Sequence, residues 1–300
     1  MRGGTPFLIC DPALRACEVS GLPGSEDVPE GYTAAELMVA CAAREIRDAE
    51  VVFVGMRLPL LAFALAKRLY APRAVGIFES GIVRDQPAAT VLYTMTDGAN
   101  VAGALWCTRL TDIMALLQQG AVDVGFIGGA QMDRFGNLNT SYIIPSRSED
   151  RAGGHARSES RVGEPPGGGT KLPGSGGAAD IAALAHRLLI IMEHEQRRFV
   201  PQVDYVTSPG YGEGGDWRER VGLPRGGPAA AITTLGVLRF DPGTREAYLD
   251  SYHPGASPAG VRANTGWDLQ VAAGVRETEA PTADELRIIR EYDPGGFWTQ

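Results

Sequence analysis

VVFVGMRLPLLAFALAKRLYAPRAVGIFES, residues 51–80, decides the fold of this 300-residue chain. Residues 51–54 are a short, β-branched apolar run of the kind that forms a strand buried on both faces. Residues 55–58 read as a turn. Pro59 then stands where a first-turn proline opens a helix, because the N–H it lacks would have no intrahelical partner there. The helix runs to about Leu69 and Pro72 prevents its continuation. Residues 75–78 are a second apolar run, so the stretch is strand, helix, strand, with the length that a parallel crossover requires.

Outward from this unit the alternation continues. Upstream, Thr33 and Glu36 have the spacing of a capping box, with Tyr32 and Leu37 as its hydrophobic staple, which predicts a helix from about residue 34. Downstream, residues 111–119 read as a helix ended by Gly120, and 122–127 as a strand. Residues 180–185 read as helical, and 188–192 and 203–206 as buried strands. Shorter β-rich runs follow at 229–233, 237–240 and 247–252, and helices return at 257–264 and 282–292. There is no repeat of fixed period. The pattern predicts one α/β domain over residues 32–300, with an open, mixed, largely parallel sheet and flanking helices.

Two stretches fall outside that pattern. Residues 1–31 mix Gly, Pro and acidic residues around one small apolar cluster, which predicts a partly ordered N-terminal extension. Residues 146–169 hold Val162 as their one large aliphatic side chain, so they cannot bury enough surface to order themselves. They read as a disordered Gly-rich insertion.

Composition excludes several classes. An apolar content of 44% supports a core without disulfides. Cys10, Cys17, Cys41 and Cys107 form no C-x-x-C pair, which fits a reducing compartment without structural zinc. With 28 basic against 36 acidic residues the net charge is -8, which repels phosphate backbones and argues against nucleic-acid binding. The longest apolar stretch, residues 58–66, is too short to cross a bilayer, and no basic segment followed by a long apolar one opens the chain. No membrane association and a cytoplasmic location are expected.

The strongest candidate for chemistry is Glu79, which follows the strand at 75–78 and precedes the small residues Ser80 and Gly81. Open parallel sheets bind ligands at this strand end. At neutral pH a glutamate, with an ordinary pKa near ~4.3, is an anion that can attack a carbonyl. It would equally suit a solvated surface position. Gly128-Gly129-Ala130 follow the strand at 122–127, and their backbone amides suit a developing oxyanion, or else a tight turn. Residues 133–137 read as a hairpin turn. Gly174-Ser175-Gly176-Gly177-Ala178-Ala179 loosely fit a phosphate-binding fingerprint before a helix, but no buried strand precedes them as a dinucleotide site requires. Arg57 could pair with a substrate carboxylate. No histidine has metal-ligand spacing, and no metal is expected. His194-Glu195 with Arg197-Arg198 reads as a surface charge network, and Cys107 beside Trp106 as packed.

Taken together, these blocks resemble the β subunits of family I CoA-transferases, of the glutaconate CoA-transferase type. The resemblance rests on Leu58-Pro59-Leu60 with Lys67-Arg68 and Ala71-Pro72, on Glu79-Ser80-Gly81, and on Phe126-Ile127-Gly128-Gly129-Ala130-Gln131 with Asp133, Gly136 and Asn137. It continues through Gly174-Ser175-Gly176-Gly177-Ala178, His194-Glu195 with Arg197-Arg198-Phe199, and residues 204–210. It implies a CoA-transferase-like fold and Glu79 as a nucleophile that carries CoA as a glutamyl thioester. Gly129 and Ala130 become oxyanion donors, and Gly55, Arg57, Ser80, Gly81, Gln131, Asn137, Ser175 and Gly176 become substrate- or CoA-binding residues. It further implies acyl-CoA and carboxylic acid substrates, coenzyme A as substrate with no tightly bound cofactor, and an α-subunit partner in a hetero-oligomer. Met56-Arg57 replaces the small residues usual in that turn, which points to an acyl group with a second carboxylate. Relatives that hydrolyse or decarboxylate acyl-CoA, and a non-catalytic scaffold completing an α-chain site, are the alternatives.

Overall fold

The computed structural model describes residues 31–144, 169–223 and 225–300. The N-terminal extension up to Glu30 and the insertion as far as Gly168 lie outside the described residues.

The expected nucleus is present. Thr33 caps α1 (Ala34–Arg44) through a capping box in which its side chain accepts from the Glu36 amide and Glu36 accepts from the Thr33 amide. β1 (Val51–Phe53), α2 (Leu58–Leu69) and β2 (Val75–Phe78) follow, and β1 and β2 pair in parallel with Phe53 opposite Ile77. Beyond them come β3 (Ile82–Arg84), α3 (Gly98–Val101), β4 (Trp106–Cys107), α4 (Leu110–Gln119), β5 (Val124–Ile127), β6 (Gln131–Met132), β7 (Leu138–Asn139) and β8 (Tyr142–Ile143). After the insertion the chain forms β9 (Thr170–Lys171), α5 (Ala178–Leu184), β10 (Arg187–Met192), α6 (Trp217–Arg220), β11 (Pro228–Thr233), β12 (Gly236–Phe240), β13 (Ala247–Tyr252), α7 (Pro258–Ala263), β14 (Gln270–Glu277) and α8 (Ala283–Tyr292).

Ten of the strands form one sheet in the order β14-β13-β12-β11-β10-β5-β1-β2-β3-β4. The middle five, β11 to β2, are mutually parallel, while β12 and β3 enter antiparallel on either side. The sheet is therefore mixed and largely parallel at its centre. Strand periodicity divides each apolar run between two layers. Val52, Val54, Phe78 and Phe126 pack toward α1, α2 and α8, whereas Phe53, Ile77 and Ile127 pack toward α4 and α5. Arg44 of α1 ties down the first layer through two bonds of 2.8 and 2.7 Å to Glu285 of α8, which also accepts from Tyr70.

Two expectations are corrected. Residues 203–206 form a loop, not a strand, with Tyr205 and Val206 about half exposed. Their polar backbone is met locally, since the Asp204 amide donates to the Gln131 side chain and the Asp204 carboxylate accepts from the Ile144 amide. His194 is not part of a surface network. Glu195 does pair with Arg197 and Arg198, but the imidazole is buried and stacked on Phe199 at 3.8 Å, with Thr233 and Thr265 hydroxyls 3.0 Å from its two nitrogens. Nearby, buried His253 bonds Thr278 and the Thr233 carbonyl.

Burial favours the neutral imidazole in both residues. It pushes His194 down to about 3, with the proximity of His253 acting in the same direction, and His253 down to about 4. In the unfolded chain these groups titrate near ~6.5, so between that pH and about 4 the unfolded state binds more protons. Stability is therefore full above about pH 6.5 and declines on acidification through this window. Urea midpoints measured from pH 7.5 to 4.5 should fall, and His194→Gln, less stable throughout, should show a shallower fall; equal slopes would rule out the histidine contribution.

Candidate active site

The C-terminal ends of β5, β1 and β2 lie side by side along one edge of the sheet. Strand order reverses at β1, since β2 is added on one side of it and β5 on the other, and this leaves a crevice where open α/β sheets hold ligands. Gly55 sits there, so near β5 that a Cβ would lie 3.3 Å from the Phe126 carbonyl oxygen.

Glu79 stands at the tip of a hairpin. Phe78 pairs with Ile82, which leaves Glu79, Ser80 and Gly81 as a three-residue connection. Gly81 adopts φ +100°, and a Cβ on it would fall 2.0 Å from the Thr108 carbonyl oxygen, so this position admits only glycine. Its carbonyl accepts from the Thr108 amide at 2.7 Å, and the Ser80 hydroxyl donates to the Met95 carbonyl. Ser80 and Gly81 thus fix the loop that presents Glu79. Phe78 faces α2 and Glu79 the opposite layer. There its carboxylate lies against the backbone at Gly177, where a Cβ would be 3.1 Å from Oε1 and 2.6 Å from the Met114 methyl. The carboxylate is half-buried and has no hydrogen-bond or ion-pair partner among the described residues.

The loop before α5 supplies this wall. Its Gly174 amide donates to the Thr140 carbonyl and the Ala178 amide to the Ser175 carbonyl, which turns Gly176 and Gly177 toward Glu79. Ser175 is half-buried and its hydroxyl has no partner among the described residues. The sequence marks Gly177 only as part of the glycine-rich loop. Nothing in the α4 sequence marks Met114, because its proximity to Glu79 arises from the packing of α4 and α5.

Several candidates prove to be framework. The Ala130 amide donates to the Asn139 carbonyl at 2.9 Å and is spent in the β6–β7 hairpin, whereas the Gly129 amide has no acceptor among the described residues. The oxyanion role expected of Ala130 is therefore corrected. Gln131 is buried, with Nε2 donating to Asp204 and Oε1 accepting from Asn139 and the Asp204 amide. Asn137 is buried too; Nδ2 donates to Asp133 and the Gly212 carbonyl, and Oδ1 accepts from the Gly210 and Gly212 amides. With their polar atoms engaged, neither is free for the ligand role expected of it. Residues 133–137 form the expected hairpin turn, and burial raises the Asp133 carboxyl against the hydrogen bonds it accepts from Asn137.

Arg57 is exposed just before α2, with φ +67° and ψ −125°. Its guanidinium lies 5.9 Å over the ring of Trp298, which packs with the α2-side layer, opposite the layer that Glu79 faces. Cys107 is exposed on β4 beside a half-exposed Trp106, not packed as expected, because β4 is the last strand of the sheet. Among the described residues no helix is long and apolar enough to cross a membrane.

The model of the family described as Coenzyme A transferase matches residues 35–264. One subunit of the 3-oxoadipate CoA-transferase of Pseudomonas knackmussii is 39% identical over 263 residues, covering 87% of this chain and 94% of the relative. One subunit of the glutaconate CoA-transferase of Acidaminococcus fermentans is 38% identical, covering 90% and 96%. The crystal structure of glutaconate coenzyme A-transferase from that organism superposes with a TM-score of 0.77 at 34% identity, covering 90% of this chain and 98% of that one. The AibA/AibB decarboxylase superposes with a TM-score of 0.71 at 27% identity, covering 89% and 97%.

Asn137 holds the loop at residues 210–212 to the β6–β7 hairpin. Asn137→Ala leaves the Gly210 and Gly212 amides and part of Asp133 buried without partners, and should cost about 3 kcal/mol in chemical unfolding. A variant of unchanged stability would instead return Asn137 to the ligand-binding residues.

Proposed function

The chain belongs to the coenzyme A transferase family, and on that premise we propose that it is the β-type chain of a two-chain enzyme that moves CoA between carboxylic acids, with Glu79 as the covalent carrier. The observation that carries this reading is the Glu79 carboxylate itself, held on a rigid hairpin at the ligand-binding edge and left without a partner among the described residues. A surface glutamate ordinarily finds water or a cation, whereas this one is half-enclosed by glycine backbone and a methionine methyl. A carboxylate left without a protein partner at a ligand-binding edge is free to act as a nucleophile.

The chemistry divides into balanced steps. A Glu79 oxygen attacks the acyl-CoA carbonyl, the tetrahedral intermediate expels CoA thiolate, and a mixed anhydride remains. The thiolate then attacks the glutamyl carbonyl and releases the first acid as carboxylate, leaving CoA on Glu79 as a thioester. The acceptor carboxylate attacks that thioester, the anhydride re-forms, and the returning thiolate takes the new acyl group and frees Glu79. Each tetrahedral stage places negative charge on an oxygen, for which the unspent Gly129 amide is the donor. One such donor contributes roughly 3 kcal/mol. Coenzyme A is thus a substrate, with no tightly bound cofactor, and its remote nucleotide end can supply binding energy expressed in the transition state. The Ser175–Gly176 loop beside Glu79 is the proposed contact for CoA, and Gly55 leaves room for it at the crevice.

The acyl substrate we propose is dicarboxylic. Two relatives are named for 3-oxoadipate and glutaconate, acids with a second carboxylate, and Arg57 stands at the crevice end of β1. The guanidinium rests over Trp298 on the α2 side, and to meet a substrate carboxylate it has to leave that ring and swing across the strand end toward Glu79; an exposed cation–π contact contributes only about 0.5–1 kcal/mol, which permits this. A second reading draws on the likeness to AibA/AibB, named a decarboxylase. On the first reading, water admitted at the anhydride stage would instead make the same site a hydrolase.

Glu79→Gln should lower transfer by on the order of 1,000-fold or more, and borohydride added with acyl-CoA should reduce the thioester and change the mass of the Glu79 peptide. Near-normal turnover would leave the chain a scaffold. Without an acceptor acid, solvent oxygen-18 accumulating in the product acid would identify the hydrolase. Arg57→Ala should weaken dicarboxylic substrates about tenfold more than monocarboxylic ones; equal losses would remove Arg57 from substrate selection.

A further inference from the structure

Asn100, in the short helix α3, is fully buried, and its Oδ1 has no hydrogen-bond partner among the described residues. A buried carbonyl oxygen left unpaired costs free energy, whereas a leucine of nearly the same shape would fill the space without that cost. The other end of the side chain shows what accompanies the penalty. Its Nδ2 donates to the Met95 carbonyl at 2.7 Å. A carbonyl only accepts, so this contact fixes which way the amide points.

The Met95 carbonyl has a second donor. Ser80, next to Glu79 in the hairpin connection, gives it a hydroxyl hydrogen bond at 3.1 Å. Both lone pairs of one oxygen are thus committed, one to α3 and one to the turn that presents the carboxylate. Asn100 is itself anchored by the buried Arg84 of β3, whose Nη1 donates to the Asn100 carbonyl and to those of Ala99 and Ala102 at 3.3 and 2.8 Å. The remaining nitrogens of the same guanidinium reach the Gln86 and Pro87 carbonyls at 2.9 and 3.2 Å. One side chain therefore ties both ends of the loop at residues 86–102 to the second arm of the Glu79 hairpin. From Arg84 through Asn100 and Met95 to Ser80, the bonds start on that arm and return to the hairpin at its tip.

Glu79 has no comparable support of its own. With no hydrogen-bond or ion-pair partner among the described residues, its carboxylate takes its direction from the backbone on which it stands. A shift at Ser80 passes directly to it.

We infer that Asn100 is a positioning residue for the Glu79 carboxylate, acting through the Met95 carbonyl and Ser80, with Arg84 as its anchor. The effect on turnover rests on the proposed role of Glu79; the coupling of Asn100 to the hairpin tip does not.

Asn100→Leu in the two-chain enzyme should lower kcat about tenfold or more, since misplacing a reacting group by an ångström can cost on the order of 100-fold. KM for acyl-CoA should stay within about twofold, and the urea midpoint should not fall, because the variant also removes an unpaired buried oxygen. A merely structural role would lower the midpoint and spare kcat. Hydrogen exchange on the full chain reads the tip itself. The Gly81 and Thr108 amides, which donate to the Phe78 and Gly81 carbonyls, should exchange faster in Asn100→Leu. Ser80→Ala should quicken the same amides, and the double variant should be no slower in turnover than the slower single variant, as for two members of one relay. Unchanged exchange at Gly81 and Thr108 would overturn the proposal, and Ser80→Ala decides it in the same way if Asn100→Leu fails to fold. Unchanged kcat in Asn100→Leu, in an enzyme that Glu79→Gln inactivates, would also overturn it. Near-normal turnover of Glu79→Gln would instead remove the nucleophile, and the exchange rates would still decide whether Asn100 holds the tip.

Discussion

The central constraint is that five parallel strands are covered on both faces, so nearly every backbone polar group in them must be satisfied within the sheet. That requirement leaves freedom only at strand ends. It also forces each apolar run to serve two helix layers at once, which is why Val52 and Val54 face α1 and α2 while Phe53 between them faces the other side. The same alternation puts Phe78 in the core and aims Glu79, one residue later, at α4 and α5. The position of the candidate nucleophile is thus a consequence of sheet geometry.

Close approach then depends on residues that are small or turned. Gly81 accepts a backbone conformation and a contact with Thr108 that a side chain would forbid, and Gly177 lets backbone lie against the carboxylate. Together they place the Glu79 carboxylate against uncharged backbone at the crevice edge.

Polar side chains around the β6–β7 hairpin have a different task. Gln131, Asn137 and Asp133 are buried, and a buried polar atom without a partner costs more than a formed hydrogen bond returns. They are therefore saturated by one another and by the loops at residues 204–212, which they hold in place. A loop at residues 203–206 instead of a strand follows from the same accounting, since side chains take over what a ladder would have supplied. At the far edge of the sheet the accounting is incomplete among the described residues: β4 offers unpaired backbone and uncharged side chains together.

Local periodicity and capping chemistry, which act over three or four residues, suffice to read off the α/β class, the strand-helix-strand nucleus at residues 51–80, the helices that begin near Thr33 and Thr282 and the place of Glu79 after its strand. β3, β4 and β14 were not legible in that way, because short or half-exposed edge strands have no two-sided apolar pattern; β14 in particular is polar along much of its length. Folding alone brings Gly177 and Met114 around Glu79, makes Ala130, Gln131 and Asn137 framework, and buries His194 while leaving Cys107 exposed. Each of these outcomes depends on what a residue distant in the chain does with a hydrogen bond or a contact, and free hydrogen-bonding capacity is a property of the folded neighbourhood, not of the residue type.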